Sequence, residues 1–241
     1  MNGLLAALGF LTRVPVPTGV FDDPEAQRRS LPWYPLVGLL LGLCLATLGW
    51  LLRHGPPLLA AAVVLIAWVA LTGALHLDGL ADSADAWVGG LGDRERTLAI
   101  MKDPCCGPAG VVALVLVLLL KFAALVTLLR HGEAGLWLAP MLARAALTAL
   151  FLWVPYVRRE GLGTPLLRAS RRACQLSLVL AALLALAAGW GGALSLLVAL
   201  IVGWLWVRSG RRRIGGFTGD TAGAMTELVE SAVLLALAWS G

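Results

Sequence analysis

Three aspartates, Asp78, Asp82 and Asp85, recur at i, i+4 and i+7 in the stretch His76-Leu77-Asp78-Gly79-Leu80-Ala81-Asp82-Ser83-Ala84-Asp85. On a helix these offsets confine the carboxylates to a sector of roughly 60°. The chain around them is apolar enough to live in lipid, where clustered acids are expensive. Hard oxygen ligands suit Mg²⁺ better than zinc or copper. The spacing therefore predicts a divalent-cation site ligated by Asp78, Asp82 and Asp85. Asp82 and Asp85 are also candidates for catalytic acid-base work.

A second acidic segment runs Gly219-Asp220-Thr221-Ala222-Gly223-Ala224-Met225-Thr226-Glu227-Leu228-Val229-Glu230. Asp220 and Glu227 share a helix face, and Glu230 lies about 80° round from it. Asp220 and Glu227 join the expected metal ligands, and Glu230 competes with Asp85 for the proton of an attacking hydroxyl. Gly219 and Gly223 leave the backbone open to substrate. Thr218 is the expected N-cap, and a helix opening there adds N–H donors for an anion. Either acid set alone reads as solvated side chains at a membrane surface. Two such sets, both interleaved with Gly and Ala and both on one side, favour a site.

Basic residues complete a phosphate-handling chemistry. Arg96 and Lys102 follow the glycine-rich Gly89-Gly90-Leu91-Gly92, and Arg13 and Arg158 are further candidates for phosphate contacts. Arg144 lies inside an apolar run, where an unpaired arginine is expensive, so it is expected to pair with an acid or with substrate phosphate. Lys121, also within a span, is expected to snorkel to the interface. His76 has three readings: orienting an acid, binding phosphate, or packing. His54 and His131 carry no functional expectation.

The elements that position these residues follow from composition. The chain has 241 residues, 59% hydrophobic and only 14% charged, with a mean hydropathy of +0.85. That excludes an ordinary soluble domain and fits an all-α, polytopic integral membrane helical bundle. Runs long enough to span occupy 35–52, 58–75, 111–129 and 136–154, and a shorter run closes the chain at 228–239. The run 176–207 is too long for one crossing of a ~30 Å core, and Gly189-Trp190-Gly191-Gly192 interrupts it. It reads as two crossings joined by a turn. The result is a single membrane-embedded domain, 1–241, with about seven spans (six to eight) and a cytoplasmic N-terminus. Residues 1–11 carry no basic leader and read as an amphipathic or interfacial segment.

Topology is testable by charge. With the N-terminus inside, fifteen Lys and Arg lie in inside segments and only Arg53 and Arg130 outside. Treating 176–207 as one helix weakens this to eleven against six. The positive-inside bias favours two crossings and puts both acidic segments on the cytoplasmic side. The four cysteines show no CxxC spacing, and Cys44 and the vicinal Cys105-Cys106 read as structural. The net charge of +5 reflects inside arginines near anionic lipid, with no nucleic-acid-binding signal.

Taken together, His76-Leu77-Asp78-Gly79-Leu80-Ala81-Asp82 with Asp85, Ile100-Met101-Lys102-Asp103, and Gly216-Phe217-Thr218-Gly219-Asp220 running to Gly223, Ala224 and Glu227 resemble the cobalamin synthase family. Phe10-Leu11-Thr12-Arg13-Val14-Pro15, Tyr34-Pro35-Leu36-Val37-Gly38 and Pro155-Tyr156-Val157-Arg158 with Gly161 extend the resemblance over the whole chain. It implies an Mg²⁺-dependent adenosylcobinamide-GDP ribazoletransferase of the bacterial inner membrane, with its active site facing the cytoplasm. Adenosylcobinamide-GDP and α-ribazole, or its 5′-phosphate, would give adenosylcobalamin, or its 5′-phosphate, and GMP. One or two Mg²⁺ would lie across the pyrophosphate. The resemblance also raises association with the other enzymes of nucleotide-loop assembly. One departure is Pro104-Cys105-Cys106-Gly107, where the family continues with serine and arginine before the glycine.

Two rivals share parts of this pattern. A CDP-alcohol phosphotransferase also spaces aspartates on membrane helices, but Asp78-Gly79 lacks the arginine and the second half of that motif. A divalent-cation transporter predicts acids at mid-bilayer on broken helices.

Overall fold

Prolines and short polar caps set where most of the helices begin. The computed structural model describes residues 2–132, 135–158, 161 and 163–240. After α1 (Asn2–Leu11), Asp23 caps the short α2 (Pro24–Arg28) by accepting from the Glu25 N–H. Proline opens α3 (Tyr34–Leu52), α4 (Pro57–Thr72) and α7 (Pro108–His131), where a missing N–H does no harm. Asp93 caps α6 (Arg94–Ile100) and Ser170 caps α9 (Arg171–Ala187). The remaining helices are α5 (Leu75–Gly89), α8 (Leu138–Trp153), α10 (Gly189–Ile214) and α11 (Gly219–Ser240). Among the described residues there are no strands, only an isolated bridge between Tyr156 and Phe217.

The chain is a polytopic helical membrane protein, as its composition predicts. Four helical stretches, Leu31–Leu52, Pro108–Arg130, Gly189–Ile214 and Gly219–Ser240, are long and apolar enough to cross a bilayer, and α8 is a shorter apolar helix. The run 176–207 breaks as expected, with Gly189 at φ +76° and α10 folding back along α9. The run 58–75 is not continuous. Gly73 and Ala74 both adopt left-handed φ, of 62° and 58°, and turn α5 by 87° away from α4. Two successive left-handed residues cannot continue a right-handed helix, and at Ala74 the conformation is strained.

The bundle is built around α11. Of its most apolar window 78% is buried, against 17% for α10, so α11 is the central post and α10 an outer wall facing lipid. Around α11 pack α5, α7, α8 and α10, while α3 lies across α8. Both acidic segments of the sequence thus reach one place, α11 carrying the second and α5 crossing beside it with the first.

Candidate active site

The site begins where α5 and α11 touch backbone to backbone. A Cβ at Gly79 would lie 2.6 Å from the Asp220 carbonyl oxygen, and one at Gly223 would lie 3.2 Å from the His76 carbonyl oxygen. Small residues on both helices permit this approach and bring Asp78 and Asp82 beside Asp220. Asp82 sits in the field of Asp78, Asp220 and Asp85, with Arg158 as the neighbouring cation. Neither Asp78 nor Asp82 makes a side-chain hydrogen bond among the described residues, and Asp78 is exposed. Acids with no hydrogen-bond donors of their own and open to solvent are suited to receive a ligand.

Two loop contacts fix the other half. Val157 N–H donates to the Phe217 carbonyl at 2.9 Å, and Phe217 N–H donates to that of Pro155 at 3.0 Å. This short pairing carries Arg158 to Asp220, where its Nη2 donates to Oδ2 at 2.7 Å. Thr218 caps α11 as expected, its hydroxyl accepting from Thr221 N–H at 3.3 Å while the Thr221 hydroxyl accepts from Thr218 N–H at 2.8 Å. The reciprocal cap sets the angle at which Asp220 enters the site.

A cavity of about 300 Å³ opens beside these groups. Asp78, His76, Gly79, Gly219, Asp220, Gly223 and Arg158 form its polar end, and Phe10, Leu11, Tyr34, Leu147, Phe151 and Tyr156 form apolar walls. Phe151, Tyr156 and Phe217 pack ring against ring with centroids 4.9–6.1 Å apart. Burial pushes the Tyr156 phenol up, so it stays a donor. These aromatic walls were not anticipated from the sequence. Their signal is the Tyr156-x-Arg158 spacing, which puts an aromatic and a charged side chain on the same face of an extended segment.

Three expected site residues are diverted by packing. Asp85 accepts from Gly107 N–H at 2.7 Å and Gly110 N–H at 2.9 Å, using both carboxylate oxygens. It is the cap of α7, supplied from another helix, and it anchors the Pro104-Cys105-Cys106 loop that departs from the family pattern. Glu227 and Glu230 lie about two and three turns deeper than Asp220. Lys121 Nζ is 2.6 Å from a Glu227 oxygen and 2.5 Å from a Glu230 oxygen, and Arg144 pairs with Glu230. All four side chains are at most 5% exposed.

This pairing settles Arg144 as the partner of an acid, one of its two expected roles. It corrects the expectation for Lys121, which is buried against Glu227, Glu230 and the Trp68 ring and does not snorkel. A lysine near mid-span cannot reach the interface when acids of a neighbouring helix already complete its charge. The structure does not bring Glu227 or Glu230 to the aspartates.

The other candidates fall at three distances. His76 is 4% exposed and lines the cavity, its Nδ1 without a hydrogen-bond partner. The Arg13 side chain lies against Gly73 at the α4–α5 bend, and its backbone N–H donates to the Leu71 carbonyl at 2.7 Å. Lys102 is exposed in the turn after α6, and Arg96 is exposed on α6 with its backbone N–H held by Asp93. Neither of these two lines the cavity.

Comparison with known proteins shows the family. The cobalamin-5-phosphate synthase family matches over residues 3–238. The chain belongs to that family. The adenosylcobinamide-GDP ribazoletransferase of Pseudomonas aeruginosa PAO1 is 57% identical over 241 residues, covering 99% of this chain and 98% of its own. The protein of the same name from Stutzerimonas stutzeri A1501 is 55% identical over 242 residues, with the same coverage. No solved structure matches. Membership makes this chain a transferase of cobalamin biosynthesis and sets aside both the lipid phosphotransferase and the cation transporter. Fittingly for that outcome, the deep carboxylates are matched by buried cations.

Proposed function

We propose that this chain transfers the adenosylcobinamide-phosphate group of adenosylcobinamide-GDP to α-ribazole or its 5′-phosphate, releasing GMP. The observation that carries this reading is the convergence of Asp78, Asp220 and Arg158 on one cavity, with Asp82 in the field of the same groups, in a chain alike to ribazoletransferases from end to end. The reaction is an in-line displacement at phosphorus. A ribose hydroxyl oxygen forms a bond to the phosphorus on the cobinamide side, and the bond to the GMP oxygen breaks. Such chemistry depends on positioning and charge neutralisation more than on covalent help.

The donor set fits Mg²⁺ by its chemistry. Three carboxylates and a single paired arginine leave an excess of negative charge, and hard oxygens are what that ion takes. Among the described residues no three acids are gathered at ligand distance. Asp78, Asp82 and the Asp220 oxygen not engaged by Arg158 would hold the ion, which when bound supplies charge neutralisation at the pyrophosphate.

The protein's own groups do the remaining work. Arg158, with its Nε still unpartnered, holds a phosphate oxygen beside Asp220. Glu230 and Asp85 are committed to donors elsewhere, which leaves Asp82 to take the hydroxyl proton. The site faces the cytoplasm of the bacterial inner membrane, supported by the charge bias of the loops. Purified protein should release GMP from adenosylcobinamide-GDP only when α-ribazole and Mg²⁺ are both present. GMP release without α-ribazole dependence, or none at all, would overturn this function.

A further inference from the structure

The cavity beside Asp220 has a shape and polarity that choose between the molecules of the proposed reaction. It is enclosed on its apolar sides by Phe10, Tyr34, Leu147, Phe151 and Tyr156, and its volume of about 300 Å³ is that of a small nucleoside-sized ligand. A corrin ring with its amide arms does not fit in it. Two bicyclic aromatic bases take part in the reaction, guanine on the leaving group and dimethylbenzimidazole on the acceptor. They differ sharply in polar groups. Guanine carries several donors and acceptors along its edges, whereas the benzimidazole carries two methyl groups and one free ring nitrogen that accepts a hydrogen bond.

The walls offer little to guanine. The buried polar atoms left without a partner among the lining side chains are His76 Nδ1, the Tyr34 hydroxyl and Arg158 Nε. Arg158 belongs to the phosphate end. Tyr34 is 1% exposed, and its hydroxyl makes no hydrogen bond among the described residues. His76 is 4% exposed on α5, two residues before Asp78 and lining the same cavity. Burying guanine against these apolar rings would leave most of its edge unsatisfied. A base with a single acceptor and an apolar rim leaves none. The unpartnered His76 nitrogen is also hard to explain as packing, because a buried polar atom ordinarily finds a partner.

Resting on the transfer reading above, we infer that this cavity is the acceptor subsite. The dimethylbenzimidazole of α-ribazole lies between the Phe151 and Tyr156 rings and the Leu147 wall, and its free ring nitrogen accepts from His76. The ribose then points to the polar end, which places a ring hydroxyl beside Asp78 and Asp220 and leaves the 5′ position free to carry the phosphate of the alternative acceptor. Discrimination against purine nucleosides follows from the same walls, since each would bury polar groups with no partner.

The test is binding of α-ribazole to the full-length protein in lipid nanodiscs, with no adenosylcobinamide-GDP present, followed by steady-state GMP release. One α-ribazole should bind per chain, and guanosine at equal concentration should not displace it. His76→Phe should weaken α-ribazole binding and raise its KM about tenfold, the loss of one buried hydrogen bond. Leu147→Phe, which fills the apolar end with an apolar group, should raise the same KM while leaving the KM for adenosylcobinamide-GDP within about twofold. Guanosine competing as well as α-ribazole would overturn the subsite, as would variants that move only the KM for adenosylcobinamide-GDP. These outcomes leave GMP release by the unaltered protein intact. Failure of the transfer reading itself would instead abolish that release.

Discussion

Helix α11 carries acids into two different surroundings, and the contrast between them separates chemistry from architecture. At its basic end, Asp220 joins Asp78 and Asp82 beside one arginine, partly exposed and with carboxylate oxygens to spare. Two to three turns further in, Glu227 and Glu230 are buried and matched by Lys121 and Arg144. The first set is short of positive charge and open to a cavity. The second is balanced and closed. Charges buried in apolar surroundings persist when they are paired, so the deep cluster reads as a device that fixes α7, α8 and α11 against one another. The shallow cluster keeps the imbalance that a cation and a pyrophosphate require.

Removing one member of the balanced cluster should have the largest effect, on stability. Arg144→Met leaves the Glu230 carboxylate without its guanidinium and should destabilise the fold by ~3–5 kcal/mol, read by denaturant unfolding in detergent. Adding Glu230→Gln should recover much of that loss. If the double variant were no more stable than the single one, the deep cluster would not be a compensated pair. Asp82→Asn should do the opposite, lowering GMP release by ~10²–10³-fold with an unchanged unfolding midpoint. Near-normal turnover in that variant would remove Asp82 from the metal and proton-taking roles.

Smaller effects probe how the two regions are held. Gly79→Ala pushes a methyl group into the Asp220 carbonyl, and should cost ~1–3 kcal/mol together with part of the activity. Asp85→Asn keeps an acceptor for only one of its two N–H donors, and should lower stability by ~1 kcal/mol with kcat nearly intact. A collapse of kcat in Asp85→Asn, at unchanged stability, would return Asp85 to the catalytic set.

Much of the fold was legible because bilayer physics is blunt. Long apolar runs, prolines at helix starts and the glycines at 189–192 locate most helix boundaries without any tertiary knowledge. The hidden bend at Gly73-Ala74 was not legible, since Ala74 is not a residue that advertises a left-handed conformation. For the site, spacing alone nominated Asp78, Asp82 and Asp220 together with Asp85, Glu227 and Glu230, and Arg158 came from the motif around it. Lys121 misled because a lysine in an apolar run looks the same whether it snorkels or meets a buried acid. Asp85 misled for a related reason. Its helical register with Asp78 is real, yet it lies about two turns further along α5, level with the start of α7.

By itself, the sequence determined that this protein is a membrane-embedded helical enzyme of its family, and that its acids lie in two helical sets at the basic end of the bundle. The membrane helices and the two acid sets follow from composition and local periodicity, which act along the chain, whereas the family rests on the motifs shared with its members. Only the tertiary structure decided which acids meet. The Gly79–Gly223 crossing brings Asp78 and Asp220 to one cavity with Asp82 beside them, while Lys121 and Arg144 draw two glutamates away from it. Carboxylates at equal spacing along a helix are chemically alike until neighbouring helices supply, or withhold, their counter-charge.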